Sequence, residues 1–225
     1  MSSEIQVLDW DSNFFSKKIG KCEVQHDFID DDFYNSAKYF DLVYVFSTKP
    51  IQINARLMDV KLTFVKQTSL SKIKHQDISF FDKKKFSYEQ LLFLVYLSGH
   101  ESRFLKDRFF NKQDFKRMYK KWIDNNLKND YVLVKITNQR ISGFVSYSVH
   151  ENFSYIHLIA VHPDFQGQGI GKSLINELES NLKENSILKV PTQESNIGAC
   201  NFYKAFGFKA ITKQYIYHYE PNTIQ

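Results

Sequence analysis

The stretch Tyr155–Ser173, YIHLIAVHPDFQGQGIGKS, constrains this chain more than any other. It opens with an apolar run from Ile156 to Val161, broken only at His157. A run so short and β-branched predicts a strand buried on both faces. His162-Pro163-Asp164 then reads as a turn, because proline fixes φ and aspartate bonds its own backbone. Gly167, Gly169 and Gly171 follow at alternate positions, and a helical segment runs from Gly171 to Lys183. Strand, glycine loop and helix start, in that order, make an anion cradle. The loop N–H groups and the positive end of the helix converge, and residues without a Cβ let a phosphate approach closely. The expected ligand is phosphorylated, and a pyrophosphate suits the cradle best.

Two well-known cradles each fail here at one residue. A Walker loop ends in Gly-Lys-Ser/Thr, as Gly171-Lys172-Ser173 does, but its leading glycine is Gln166. The dinucleotide fingerprint G-x-G-x-x-G accepts Gly167 and Gly169 but meets Lys172 at its third glycine. The pattern that fits throughout is Gln-x-x-Gly-x-Gly, from Gln166 to Gly171. A second informative stretch runs from Asn196 to Phe208, where Asn196, Ala199 and Tyr203 fall at i, i+3 and i+7 on one helical face. The small residue between two polar ones leaves room for a slender chain to pass. In order and spacing, Q-x-x-G-x-G followed by N-x-x-A-x-x-x-Y-x-x-x-G-F resembles the GNAT acyltransferases over roughly residues 85 to 225.

That resemblance implies an α/β (α+β) fold. Its mixed, mostly antiparallel central sheet would be flanked by helices and splayed between two central strands. It also implies acetyl-CoA or another acyl-CoA as co-substrate and no metal. Ile159, Ala160 and Val161 would bond the pantetheine arm and aim one N–H at the thioester oxygen. Gln166, Gly167, Gln168, Gly169, Ile170, Gly171 and Lys172 would hold the pyrophosphate. Asn196 would bond the arm, and Tyr203 would protonate the departing thiolate. The base is open between His157, Glu151 and a water chain. Cys200 reads as a small buried residue rather than a nucleophile.

Around these motifs, 225 residues allow one large domain or two small ones. Residues 1–75 read as a small α/β domain and 76–225 as the acyltransferase domain, divided in the polar segment Ser69–Lys85. In the first, Val7–Trp10 and Lys21–Val24 predict strands around a Ser12–Phe15 loop. Asp30, Asp31 and Asp32 open a helix, because carboxylates complement its positive end, and Leu42–Phe46 and Met58–Val65 are strands. In the second, Ser87–Gln90 reads as a capping box for a helix from Tyr88 to Ser98 that is apolar nearly all round and therefore buried. Gly99 is its C-cap candidate. Asn111 or Asp114 starts an amphipathic helix through Phe115, Met118, Tyr119, Trp122 and Ile123. A hairpin turns at Asn138-Gln139-Arg140. A strand Ile187–Val190 is cut off by Pro191, which has no N–H for a ladder. Ile197–Phe206 is a helix, and Phe208–Tyr219 the last strand.

Three shorter stretches narrow the resemblance: Leu8–Phe15, Ser102-Arg103-Phe104, and Lys120–Asn126. They are similar to a GNAT subgroup that acylates the amino group of a dTDP-linked amino-dideoxy sugar, typified by dTDP-fucosamine acetyltransferase, in surface polysaccharide biosynthesis. This would put Ser102, Arg103 and Phe104 at the acceptor site. One position departs: the subgroup's basic residue just before the tyrosine is Phe202 here. Another amine (a polyamine, an antibiotic, a protein N-terminus) is the alternative acceptor, and a non-catalytic CoA-binding module the alternative function. A net charge of +5 suits anionic ligands but is too small to argue for nucleic acid. The lysines between Lys106 and Lys121 read as the solvated face of one helix. No apolar run approaches the length of a membrane span, the N-terminus lacks a secretory pattern, and two cysteines make neither a disulfide framework nor a metal site. A cytoplasmic enzyme is the expectation, with a homodimer as the candidate assembly.

Overall fold

The computed structural model describes residues 4–24, 31–69 and 75–221. Asp30 and residues 70–74 of the polar segment lie outside them. The chain forms two compact units that are not consecutive blocks. The first holds Met1–Leu62, Gln193–Ser195 and Thr212–Gln225, and the second holds Thr63–Thr192 and Asn196–Ile211.

In the first unit, strands β1 (Gln6–Val7), β2 (Ile19–Val24) and β3 (Leu42–Ser47) pair side by side, β2 with β3 in parallel. The end of the last strand, β10 (Lys209–Tyr219), adds to β3 from Tyr215 to Tyr219. Helix α1 (Asp9–Phe15) occupies the stretch expected to be strand and loop. Asp9 and Asp11 favour its first turn, and Ser16 closes it in a left-handed conformation at φ 53°. Helix α2 (Asp31–Ala37) buries Phe33 and Ala37 on a core of Cys22, Val24, Phe40, Val43, Val45 and Tyr217.

The second unit carries the glycine loop. Strands β5 (Ile78–Phe80), β6 (Tyr131–Thr137), β7 (Arg140–Val149) and β8 (Phe153–Val161) pair antiparallel in that order. β9 (Ile187–Gln193) then joins β8 in parallel. This is a mostly antiparallel mixed sheet flanked by helices. The β6–β7 turn is two residues long, with Asn138 at φ 49° and Gln139 at φ 61°; positive φ at both positions matches the right-handed twist of the strands.

Helix α3 (Tyr88–Ser98) has the expected bounds but only one buried face, on Leu91, Leu94 and Val95, while Phe93 is 49% exposed. Ser87 accepts the Gln90 N–H at 3.3 Å, yet Gln90 does not return the bond. Its side-chain oxygen accepts from Ile141 N at 2.9 Å, tying the helix to β7. The full capping box belongs to α5 (Lys112–Asn129), where Asn111 and Asp114 bond each other's N–H. Lys116, Arg117, Lys120 and Lys121 lie on its exposed side. Arg117 pairs with Asp114 at 3.0 Å and Lys120 with Asp124 at 2.7 Å.

β8 is not buried on both faces. Ser154, Ile156 and Leu158 are buried, and the alternate residues Tyr155, His157 and Ile159 are half-buried. Nor does Pro191 end its strand, since β9 runs on to Gln193. What ends is the ladder. Parallel pairs join Phe153–Ile187, Ser154–Leu188 and Tyr155–Lys189, and none follows although both strands continue. The missing N–H of Pro191 is consistent with that stop.

Gly99 ends α3 at φ −99°, so its small size, not a left-handed turn, explains the residue. A Cβ there would come within 2.7 Å of Tyr119 Oη and collide with the ring. Gly99→Ala is expected to cost about 1–3 kcal/mol through overpacking, read as a lower urea midpoint. An unchanged midpoint would show that Tyr119 moves aside freely.

Candidate active site

The loop is built from both ends. At its start, Ser142 is an extra residue in the β6–β7 register, and its carbonyl accepts the His162 N–H at 2.8 Å. Pro163–Phe165 forms one 3₁₀ turn capped by the His162 ring, which accepts from Asp164 N at 3.3 Å. Gln166 then reaches back to donate to the Val161 carbonyl at 3.3 Å, closing the loop on the strand end. At its far end begins α6 (Ile170–Ser180). Gly143 in β7 lets that helix lie close, since a Cβ there would sit 2.8 Å from Ile170 Cγ2.

Gly167 and Gly169 both have φ +75°, and a Cβ at either would meet nothing within 4 Å. Their conformation demands glycine, and the space before them is open. Gly169 is the N-cap of α6 and supplies no capping side chain, so the Ile170, Gly171 and Lys172 N–H groups keep no intrahelical partner. They offer donors at the positive end of an 11-residue helix.

Gly171 explains how the two sequence motifs meet. A Cβ there would lie 3.2 Å from Phe202 Cε2 and 3.8 Å from Val161 Cγ2. Between them opens a cavity of about 450 Å³ lined by Val161, Phe165, Gln166, Lys172, Phe202 and Phe206 with the loop glycines. That volume falls in the usual range of small-molecule sites. Open left-handed glycines, uncapped helix donors and this adjoining cavity fit a diphosphate with an attached flat or apolar group.

Tyr203 stands on α7 (Ile197–Ala205), 3% exposed, with its ring 5.6 Å from Phe64, 5.4 Å from Phe202 and 5.6 Å from Phe208. Burial pushes its phenol well above the usual tyrosine range, and Cys200 adds to the effect. Asn196 is the N-cap of α7, where its side-chain oxygen accepts from Ala199 N at 3.1 Å. Its amide N–H₂ remains the group with which it would meet a ligand.

A family model of the acetyltransferase (GNAT) family matches residues 98–208. A Haemophilus influenzae protein named ribosomal protein bS18-alanine N-acetyltransferase is 31% identical over 124 residues, 48% of this chain and 84% of that one. The chain belongs to the GNAT family. An uncharacterized N-acetyltransferase of Methanocaldococcus jannaschii is 29% identical over 110 residues, 45% of this chain; the match spans about half, 48%, of that relative's length. In fold, the chain is similar along 98% of its length to a functionally unknown conserved protein from Staphylococcus epidermidis, covering 92% of it, with a TM-score of 0.72 at 12% identity.

Within this GNAT chain the remaining candidates separate by environment. Glu151 is exposed in the β7–β8 turn. His157 is half-buried, with Nε2 3.6 Å from Asp130 Oδ2. Ser102 is buried and caps the short helix α4 (Arg103–Lys106), accepting from Phe104 N at 3.3 Å. Phe104 packs its ring 5.2 Å from Phe110 and 6.2 Å from Trp122. The Arg103 guanidinium lies over the Phe104 ring at 4.4 Å. Two features went unread in the sequence. Asp130 is a lone acid after a helix, and its approach to His157 depends on strand pairing. Lys66 pairs with buried Glu179 at 2.6 Å and covers the Phe206 ring at 4.5 Å, a contact made between β4 (Arg56–Gln67) and α6.

Two outcomes follow from this geometry. Gly169→Val forces a β-branched residue to φ +75° and fills the cradle, so calorimetry should show CoA affinity at least about tenfold lower, given a cost of roughly 1–2 kcal/mol for the left-handed conformation alone. Equal affinity would remove the loop from phosphate binding. Secondly, Tyr203 and Tyr147 are both raised by burial. The native state keeps their protons where the unfolded chain, at about 10, loses them. Their stabilisation is present below about pH 10 and declines as pH climbs further. Urea midpoints should therefore fall between pH 9 and 11, and less steeply in Tyr203→Phe; a flat profile would contradict the burial.

Proposed function

We propose that this protein transfers an acyl group from acyl-CoA to a primary amine by direct attack. The observation that carries the reading is the open cradle of Gly167–Lys172 beside the strand end at Val161, with the tyrosine helix packed against Gly171. The thioester supplies an activated carbonyl. The chain's part is to hold the diphosphate on the N–H groups of the loop and first helical turn, with Lys172 adding charge. Past Tyr155, β8 has no ladder partner in β9, so its backbone can bond an extended arm. One N–H between Ile159 and Val161 would face the developing oxyanion, an effect of order 10²–10³ in rate.

Tyr203 donates its proton to the departing thiolate. Its elevated pKa suits a group that must stay protonated through the working range, and the apolar rings around it exclude competing water. Asn196, with its oxygen used in the cap, contributes its amide donors to the arm.

For the acceptor, we infer a nucleotide-linked amino sugar of the dTDP class. Its support is the similarity of Leu8–Phe15, Ser102–Phe104 and Lys120–Asn126 to that subgroup. Of the trio, Arg103 carries the charge suited to a nucleotide phosphate, its planar fork pairing bidentately. Ser102 and Phe104 shape the turn that holds it. A protein N-terminal alanine is the second reading, favoured by the Haemophilus influenzae relative's name.

Acetyl-CoA turnover should be measured against dTDP-amino sugars, polyamines and peptides beginning with alanine. Preference for the nucleotide sugars is expected, and preference for the peptides would select the second reading. Tyr203→Phe should lower kcat about 10²–10⁴-fold with CoA affinity nearly unchanged. Unaltered turnover would take Tyr203 out of the proton transfer.

A further inference from the structure

A second irregularity in β8 lies close to where its ladder with β9 stops. Opposite β7, Ser146 faces Leu158 but the next residue, Tyr147, faces Ile156. His157 is thus the extra residue of a β-bulge, without a partner of its own in β7, and its side chain stays on the half-buried face of β8. Bulges of this kind re-aim a side chain. This one aims at the end of α5. Asp130, the C-cap of that 18-residue helix, turns Oδ2 to within 3.6 Å of His157 Nε2. Asn126, one turn earlier and buried, fixes the same oxygen by donating Nδ2 at 3.0 Å. His157 Nε2 is buried and makes no hydrogen bond within the described residues, although 30% of the side chain is reachable. Ser146 Oγ and Asn126 Oδ1 are likewise buried and unbonded. A half-buried imidazole beside a carboxylate that a buried amide holds in place has no evident packing purpose.

We propose that His157 is the base that accepts the proton of the attacking amine, and that Asp130, itself held by Asn126, is the positioning residue that orients it. The inference rests on the acyl-transfer reading. His157 sits on the portion of β8 from Ile156 to Val161 that has no ladder partner in β9, the same portion that would flank the thioester. Nε2 is turned to the carboxylate, which leaves Nδ1 for the substrate. The amine nitrogen forms a bond to the carbonyl carbon, and its proton passes to His157. As the carbon–sulfur bond breaks, the thiolate takes the proton of Tyr203. Amide and free thiol leave, and imidazolium and phenolate exchange protons with water.

The environment is set for that task. Desolvation lowers the pKa of His157, Asp130 raises it, and His150 lowers it. The neutral, proton-accepting form therefore predominates near neutral pH. Once the proton arrives, the Asp130 carboxylate and the negative end of α5 both favour the imidazolium. The groups around the ring are Asp130 from the α5–β6 junction, His150 from the β7–β8 turn with its own bond to Ser148 at 2.9 Å, and Tyr155 with its ring at 5.4 Å. Lys189, on β9, has its ammonium over the Phe153 ring instead, at 4.2 Å.

The test combines kinetics with a titration that needs no substrate. Nuclear magnetic resonance of the ¹⁵N-labelled imidazoles should show the His157 pKa falling in Asp130→Asn, and Nε2–H as the dominant neutral tautomer in the wild type. In turnover, His157→Asn should lower kcat about 10²–10⁴-fold and abolish the acid limb of the kcat/KM–pH profile, with CoA affinity unchanged. Asp130→Asn should move that limb to lower pH at a smaller loss of rate, and Asp130→Glu should restore part of it. An unchanged limb in His157→Asn, or a His157 pKa indifferent to Asp130→Asn, overturns the proposal. Should His157→Asn fold poorly by thermal melt, His157→Gln replaces it and the Asp130 titration still decides. A wild-type protein that acylates no amine would instead refute the acyl-transfer reading, which the same assay distinguishes.

Discussion

The candidate site depends on a hydrogen-bond ladder that stops early. β8 and β9 run parallel for three pairs, and after Tyr155–Lys189 the two backbones continue without bonding. Buried backbone N–H and C=O groups left without partners cost about as much as lost hydrogen bonds. A sheet interior does not normally tolerate such a stretch unless something else bonds it. Two local features are consistent with the early stop. Pro191 has no N–H to give, and the bulge at His157 shifts the register of β8. An extended ligand with amide groups is the chemistry that would satisfy what both strands leave unmade.

The glycine loop is the continuation of the same strand, and its geometry follows from how the strand is terminated. Ser142 holds the His162 N–H, and Gln166 bonds back to Val161, so the loop leaves β8 at a defined angle. The close seat of α6 over Gly143 then brings its uncapped N-terminus to the strand end. None of these contacts is strong alone, since a net hydrogen bond contributes about 0.5–1.5 kcal/mol. Their value is positional. An anion site made of main-chain donors works only if the donors already converge before the anion arrives, because ordering them afterwards would consume the binding energy.

This explains what could be read from residues and what could not. The loop was legible because its requirements are local: glycines at positive φ, a strand before and a helix after. Likewise the hairpin and the amphipathic face of α5 follow from nearest-neighbour rules. α1 was misread as strand and loop because Ser12 and Asn13 favour turns, while its helical character rests on acidic first-turn residues and no buried face at all. The apolar composition of α3 suggested burial all round, yet Phe93 faces outward, its ring 5.2 Å from His162. Gln90 looked like half of a capping box, and its side chain went to β7, 51 positions along the chain. The bulge was the least legible of all. Which residue of β8 is the extra one depends on β7, and no property of His157 itself announces it.

The wall of the cavity shows a similar exchange of local for distant chemistry. Where the resembling subgroup carries a basic residue, this chain has Phe202, which stacks on Phe206 with centroids 6.0 Å apart. Lys66 lies over the Phe206 ring at 4.5 Å and is held by Glu179, which is nearly sealed from solvent. A lysine so paired is neutralised locally and stiffens the aromatic wall rather than reaching into the cavity. Of the described residues lining the cavity, Lys172 alone is charged, and it sits in the first turn of α6 beside the open N–H groups. Positive charge is thereby concentrated at the helix start, and the opposite wall offers flat apolar surface. Cationic and aromatic character thus lie at opposite ends of the cavity, the arrangement that a ligand with an anionic end and a flat end would match.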